Sequence, residues 1–338
     1  PIRMAVTKTK KVASCMSDKP DEVPYVEMET LNSMVPIWQR KKADVKPEEY
    51  NEFYREKFHD FADPQRVITV SAEGAVTYKA LLFIPGTTPF DFYTKEYEKG
   101  LQLYSSGVLI MDKCPDLLPE HFRFVRGVVD SPDLSLNISR ELLQHDRQLK
   151  FIAGNLEKKI KTELQKLMDN DREKYEKFFA AFGPQIKYGV LADYGAKKET
   201  LQDLLLYWSS KQDKLVTLKE YTDAMPEDQK YIYYASGESR SRLGQLPQLE
   251  LLRQKGYDVL FMTDEVDGFV PQTLAKYQDK ERKAITAGDL GLETEEEKKA
   301  AEEKSEKSKQ TLEFVKKTLG DKIKDVRLSD NLGSHPVS

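Results

Sequence analysis

Arg140 and Gln144 stand four residues apart where a polar segment gives way to a long apolar-periodic run, so they share one helical face. A guanidinium and an amide presented together at a helix start suit an oxyanion of phosphate type. The guanidinium offers several donors in a fixed fork and stays charged at any relevant pH. Ser139 is the natural N-cap for that helix, and Glu141 sits favourably at the positive end of its dipole. Leu142, Leu149, Ile152, Leu156, Ile160, Leu164 and Leu167 define a second, apolar face at helical spacing. The spacing alone also fits a solvated surface cation, which is the commoner use of an Arg in a first helical turn.

Other chemistry is weaker. Asp264, Glu265 and Asp267 follow an apolar run and could act as metal ligands or an acid/base pair, but carboxylates at strand ends usually cap and solvate. The four histidines, His59, His121, His145 and His335, show no ligand spacing. Cys15 and Cys114 lie far apart with no CxxC pattern, which predicts free thiols in a reducing compartment. Neither a GxGxxG nor a GxxxxGK[ST] pattern occurs, so the chain carries no phosphate-cradling glycine loop of its own.

The elements that position these groups mix helix and strand. A short strand at 1–11 leads into a proline-containing, extended or mobile run. Pro47 opens a helix with a predicted buried stripe of Tyr50, Phe53, Tyr54, Phe58 and Phe61. Two strands, 66–72 and 75–85, join at Glu73-Gly74, the second apolar enough to be covered on both faces. A further strand is predicted over 101–111, with Gly107 at a bulge or close approach. Beyond the Arg140 helix come a helix over 171–181 stopped at Gly183-Pro184, a loop over 189–196 and a short helix over 198–207. A strand–helix–strand unit then spans 230–236, 247–256 and 258–263, for which a parallel right-handed crossover is expected. Residues 292–309 reduce largely to Glu, Lys, Ala and Ser, a solvated charged helix or tether. The fold class is thus α/β: a mixed-sheet αβα sandwich, a helical connector and a second, smaller αβα unit.

With 338 residues the chain is too long for one ordinary core, and two or three domains or subdomains are expected. A charged fraction of 33% with a net charge of only -4 intersperses both signs, which disfavours nucleic acid as a main partner. No run is long and apolar enough for a membrane span, and the first residues show no signal-peptide pattern. A cytoplasmic location is the expectation, as is a fragment of a longer protein.

The run Arg126-Gly127-Val128-Val129-Asp130-Ser131-Pro132 through Gln144 closely resembles the loop and helix of the middle domain of the heat-shock protein 90 chaperones, and the chain as a whole looks most like their bacterial form. The resemblance covers about residues 36–328, with further specific stretches at 232–239 and 259–264. It implies that Arg140 reaches the terminal phosphate of ATP bound in a separate N-terminal domain, assisted by Gln144. The Pro36-Ile37-Trp38 triplet resembles the start of that middle domain, where the Trp is associated with client contact; the plain reading of Trp38 is a core anchor. An exposed apolar patch at Trp38, Phe90 and Leu109 is the expected client surface.

By the same resemblance, residues 1–34 are the last strand of a nucleotide domain plus linker, and 35–168 the large αβα middle subdomain with its catalytic loop. Residues 169–216 are the connector, 217–290 the small αβα subdomain, and 291–338 a charged tether with a truncated start of a dimerisation domain. The implied full-length protein uses ATP and Mg, hydrolyses ATP, dimerises with itself and folds non-native client proteins. The fragment alone is expected to bind no cofactor and to be inactive. Two other readings stand beside this one: a stand-alone α/β enzyme with its site near Asp264 or Gly237, and a non-catalytic interaction scaffold.

Overall fold

The computed structural model describes residues 3–12, 21–30, 35–134, 147–287, 290–292, 316 and 318. The chain divides into two compact units. The first comprises 1–86, 93–118 and 125–155, and the second 87–92, 119–124 and 156–338.

In the first unit, β1 (Arg3–Val12) pairs antiparallel with β2 (Asp21–Thr30), so the extended run after the first strand folds back as its partner. Helix α1 (Pro47–Phe58) starts with Pro at its first turn, and Glu49 accepts from the Lys46 amide at 3.1 Å. A five-stranded mixed sheet follows. It consists of β3 (Arg66–Ala72), β4 (Tyr78–Ile84), β5 (Leu101–Ser105), β6 (Val108–Cys114) and β7 (Arg126–Asp130), in the order β3-β4-β7-β5-β6. β4 is buried on both faces, as its apolar run predicts. Leu81 and Phe83 meet Tyr50 and Tyr54 of α1 across one of them. Phe61 leaves that stripe and is exposed, because the helix has already ended in the left-handed residue His59.

The single strand predicted over 101–111 is a hairpin. Ser106 and Gly107 both take positive φ, 50° and 81°, which turns the chain tightly and pairs β5 with β6. On central β7, a side chain at Gly127 would run into the carbonyl oxygen of Leu81 and come within 2.9 Å of Leu82 Cα, so close strand approach excludes one there. Helix α2 (Arg147–Asn170) closes this part of the chain, and the division between units falls within it at Asn155 and Leu156.

In the second unit, α3 (Arg172–Leu191) runs through Gly183-Pro184 instead of stopping there. Asp171 caps it by accepting from the Lys174 amide at 3.2 Å. The Phe179 ring fills the space beside Gly183, where a Cβ would lie 2.9 Å from it. The short helix predicted over 198–207 ends by Leu204. Strands β8 (Leu206–Ser209) and β9 (Lys214–Thr217) follow as a hairpin. Thr217 then caps α4 (Leu218–Asp223) in a reciprocal box with Glu220.

β10 (Tyr231–Ser236), α5 (Pro247–Gln254) and β11 (Val259–Met262) form the expected parallel strand–helix–strand unit. With β8, β9, β12 (Lys276–Tyr277) and β13 (Lys280–Ala284), the strands β10 and β11 give a six-stranded mixed sheet in the order β12-β13-β10-β11-β8-β9. Tyr233, Ala235, Val259 and Phe261 pack with Leu249 and Leu252 of α5.

A buried acid–base contact ties this unit together locally. His121 Nε2 lies 3.3 Å from Glu157 Oε1, and Lys197 Nζ reaches the same carboxylate at 2.9 Å. Hydrogen bonding from His121, with that of Lys197, outweighs burial and lowers the Glu157 pKa from 4.5 to about 2. A carboxyl depressed in the fold contributes stability above its unfolded pKa and loses it as pH falls through the folded one. Stability should therefore drop between about pH 4.5 and 2. In Glu157→Gln, urea titrations should show a flatter acid limb and lower stability at neutral pH.

Candidate functional site

Arg140, Gln144 and Ser139 lie outside the described residues, which end at Leu134 before them and resume at Arg147. β7 ends at Asp130, whose side chain is 1% exposed and accepts three donors. Trp38 Nε1 and Gln39 Nε2 donate to Oδ2 at 3.0 and 2.7 Å, and the Gly107 amide donates to Oδ1 at 3.2 Å. A buried carboxylate is tolerable only when its lone pairs are used in this way.

The next residues continue the anchoring. The Ser131 amide donates to Tyr104 O at 3.1 Å, and its hydroxyl donates to Thr77 O at 2.7 Å. The Thr77 amide donates to Asp133 Oδ2 at 2.6 Å, and Ser105 Oγ donates to the carbonyl of buried Leu134 at 2.6 Å. On the far side, α2 buries Leu149 and Ile152. The backbone is thus fixed up to Leu134 by β5, by Thr77 just before β4, by the turn at Gly107 and by Trp38 and Gln39. Asp130→Ala would leave the Trp38 indole, the Gln39 amide and the Gly107 N–H without their acceptor. A loss of about 2–3 kcal/mol in unfolding free energy by denaturant titration is expected, while Asp133→Ala should cost much less.

Trp38 is half-buried, with its ring 5.0 Å from that of Tyr104 and 6.0 Å from that of Phe53. It serves as an anchor of the Asp130 network and still lines the surface. Phe90, in the second unit, is 104% exposed, and Leu109 on β6, an end strand of the first sheet, is 47% exposed beside exposed Val108.

Asp264 and Asp267 do not form a free acid/base pair. Lys187 Nζ lies 2.8 Å from a carboxylate oxygen of each. Burial works against the ammonium, but Tyr207 and the two carboxylates outweigh it and hold the Lys187 pKa above its usual value. A cleft of about 300 Å³ opens beside them, lined in part by Phe179, Trp208 and Phe261. Of its polar lining, Lys187 and Asp264 pair with each other, and the Arg240 guanidinium stacks 4.0 Å from the Trp208 ring centroid.

Among the described residues, no group of His, Cys, Asp and Glu could hold a metal ion, and no helix is long and apolar enough to cross a membrane. Cys114 is buried; Cys15, His145 and His335 lie outside the described residues. Asp130 and Lys187 were not evident as key residues from sequence patterns. The one available signal was a Lys set among Gly183, Ile186 and Val190 on an otherwise buried helical stripe.

The family model described as Hsp90 protein matches residues 7–338. The chain belongs to the Hsp90 family. Among curated Hsp90 relatives, chaperone protein HtpG of Clostridium botulinum (strain Langeland) is 55% identical over 337 residues, covering 100% of this chain and 53% of the relative. Chaperone protein HtpG of Bacillus subtilis (strain 168) is 56% identical over 311 residues, covering 92% of this chain and 50% of the relative. The chain therefore spans about half the length of the curated relatives it matches. Among solved structures, the middle domain of a Plasmodium falciparum protein described as a heat shock protein matches with a TM-score of 0.67 at 30% identity. That match covers 75% of this chain and 100% of the other. The mixed α/β architecture is accordingly that of the Hsp90 middle domain.

Proposed function

We propose that this chain is the middle segment of an ATP-dependent chaperone and supplies Arg140, assisted by Gln144, to the terminal phosphate of ATP held in a separate nucleotide domain. What supports this reading is the anchoring of the preceding segment. Asp130, Ser131, Asp133 and Leu134 are all held by hydrogen bonds, a footing on which a positioned cation can be presented to another domain. ATP and Mg are both assigned to the separate nucleotide domain, as the resemblance implies. Arg140 contributes fixed positive charge where negative charge develops during phosphoryl transfer, and Gln144 helps orient the group it meets.

Non-native client proteins would meet the exposed apolar residues Phe90 and Leu109, with Trp38 contributing its accessible edge. Segments 1–34, 35–168, 169–216, 217–290 and 291–338 take the roles given to them above. The full-length protein would dimerise and work in the cytoplasm. ATP turnover and ATP affinity of the full-length protein, with and without the Arg140 side chain, test the catalytic part. Turnover by this chain alone, above contaminant level, would refute the assignment of the nucleotide site to another domain.

A further inference from the structure

On the α1 face of the first sheet, a cleft of about 280 Å³ combines an apolar floor with a basic rim. Ile37, Trp38 and Tyr50 supply the apolar part, and Arg40, Lys41, Lys42 and Lys79 the cations. Arg40 is partly neutralised by Glu49 at 3.0 Å. Lys79 donates to the Gln39 carbonyl at 2.9 Å, and Lys41 and Lys42 are exposed. The one nearby buried acid, Asp130, is occupied by the Trp38 indole and the Gln39 amide. The cleft thus carries an excess of positive charge in a protein whose net charge is -4.

Its border is β3, which ends the sheet order. Thr69 and Ser71 of β3 pair with Leu81 and Lys79 of β4, and all four line the cleft. The opposite row of β3 backbone groups points away from β4, as at any edge strand, and can pair with an extended chain. We propose that this cleft docks an extended acidic peptide segment that seats an apolar side chain against Trp38 and sets its carboxylates on Lys41, Lys42 and Lys79. Charge complementarity selects acidic partners over neutral ones, and the open edge selects a peptide. This inference rests on the client-contact reading only for placing a partner at Trp38, and names the chemistry of the segment bound there.

The test uses Trp38 emission in a Trp208→Phe background, since the chain has two tryptophans. The probe is a 12-residue peptide with Glu and Asp flanking a central Phe, compared with its Gln/Asn counterpart. Individual exposed ion pairs are weak, so several acting together should make the acidic peptide bind about tenfold tighter at low salt. Lys41→Glu/Lys42→Glu should abolish that preference, and backbone N-methylation at alternate positions should weaken binding further. Equal binding of both peptides, unchanged by the Lys variants, would overturn the acidic selectivity and leave general client contact at Trp38 standing. Binding of neither peptide, while a heat-unfolded protein still associates, would overturn the cleft as a docking site. Tighter, charge-dependent binding of single-stranded DNA would overturn it in favour of nucleic acid.

Discussion

Arg140→Ala in the full-length protein should lower ATP turnover about 100-fold or more while leaving ATP affinity nearly unchanged. The split between the two follows from the proposed geometry. A cation delivered from a separate domain to the terminal phosphate meets the developing charge of phosphoryl transfer and contributes little to holding ground-state nucleotide, so its removal falls on turnover. Arg140→Lys keeps the charge but loses the planar fork, and should recover only part of the rate. Gln144→Ala should cost less, since an amide orients without carrying charge. Steady-state hydrolysis and equilibrium nucleotide binding, measured on the same preparations, separate these effects. Unchanged turnover in Arg140→Ala would reduce the residue to a solvated charge and leave the chain as a binding scaffold.

The loss should be reproduced in part at a distance. Asp130→Ala leaves Arg140 in place but removes the acceptor that ties the end of β7 to Trp38, Gln39 and Gly107. If anchoring of this segment positions Arg140, turnover in that variant should fall at unchanged nucleotide affinity, at a temperature well below its unfolding transition. A protein that is merely less stable would retain its rate per folded molecule.

What the sequence made legible depended on how local the cause was. β3, β4 and the strand–helix–strand unit of β10, α5 and β11 stand close to their predicted bounds, because apolar runs and the turn residues beside them are neighbours in the chain. The misreadings arose where a local signal had two meanings. Gly107 serves a two-residue turn with Ser106, and the apolar run on either side hid the reversal. Gly183-Pro184 looked like a helix stop, but Gly183 gives way to the Phe179 ring and α3 continues to Leu191. Leu201, Leu204 and Leu205 have helical spacing that ran on into what is β8.

The candidate site divides in the same way. Arg140 and Gln144 are recognisable in the sequence as a cation and an amide four residues apart, and both lie outside the described residues. Asp130 and Lys187 gave almost no signal, because their partners are distant in sequence. Trp38 and Asp130 are 92 residues apart, and Lys187 lies 77 and 80 residues from Asp264 and Asp267. Pairing over such separations is fixed by topology, which a pattern of single residues does not contain.

Lys187→Met should destabilise the second unit by about 3–5 kcal/mol. Lys187 and Asp267 have side chains 4% and 1% exposed, and the ammonium also sits 4.8 Å from the Tyr207 ring centroid. Methionine keeps much of the aliphatic volume, so the cost arises from an uncompensated buried carboxylate more than from a cavity. Lys187→Met with Asp267→Asn removes that charge and should recover a large part of the loss, a coupling that a double-mutant cycle measures directly. The pH dependence tells this from simple packing damage. The Lys187 pKa is raised in the fold, so its contribution is complete below the ordinary lysine value and is lost only as pH rises through the folded one. The Lys187 ammonium should therefore contribute equally across neutral pH. Burial already holds the Asp267 carboxyl above the usual carboxylate range, and in Lys187→Met the loss of its cation must raise it further. The variant's deficit should then shrink as pH falls and Asp267 takes up a proton, whereas a packing defect would persist at all pH values. Denaturant titrations followed through Trp208 emission in a Trp38→Phe background report on the unit that holds the pair.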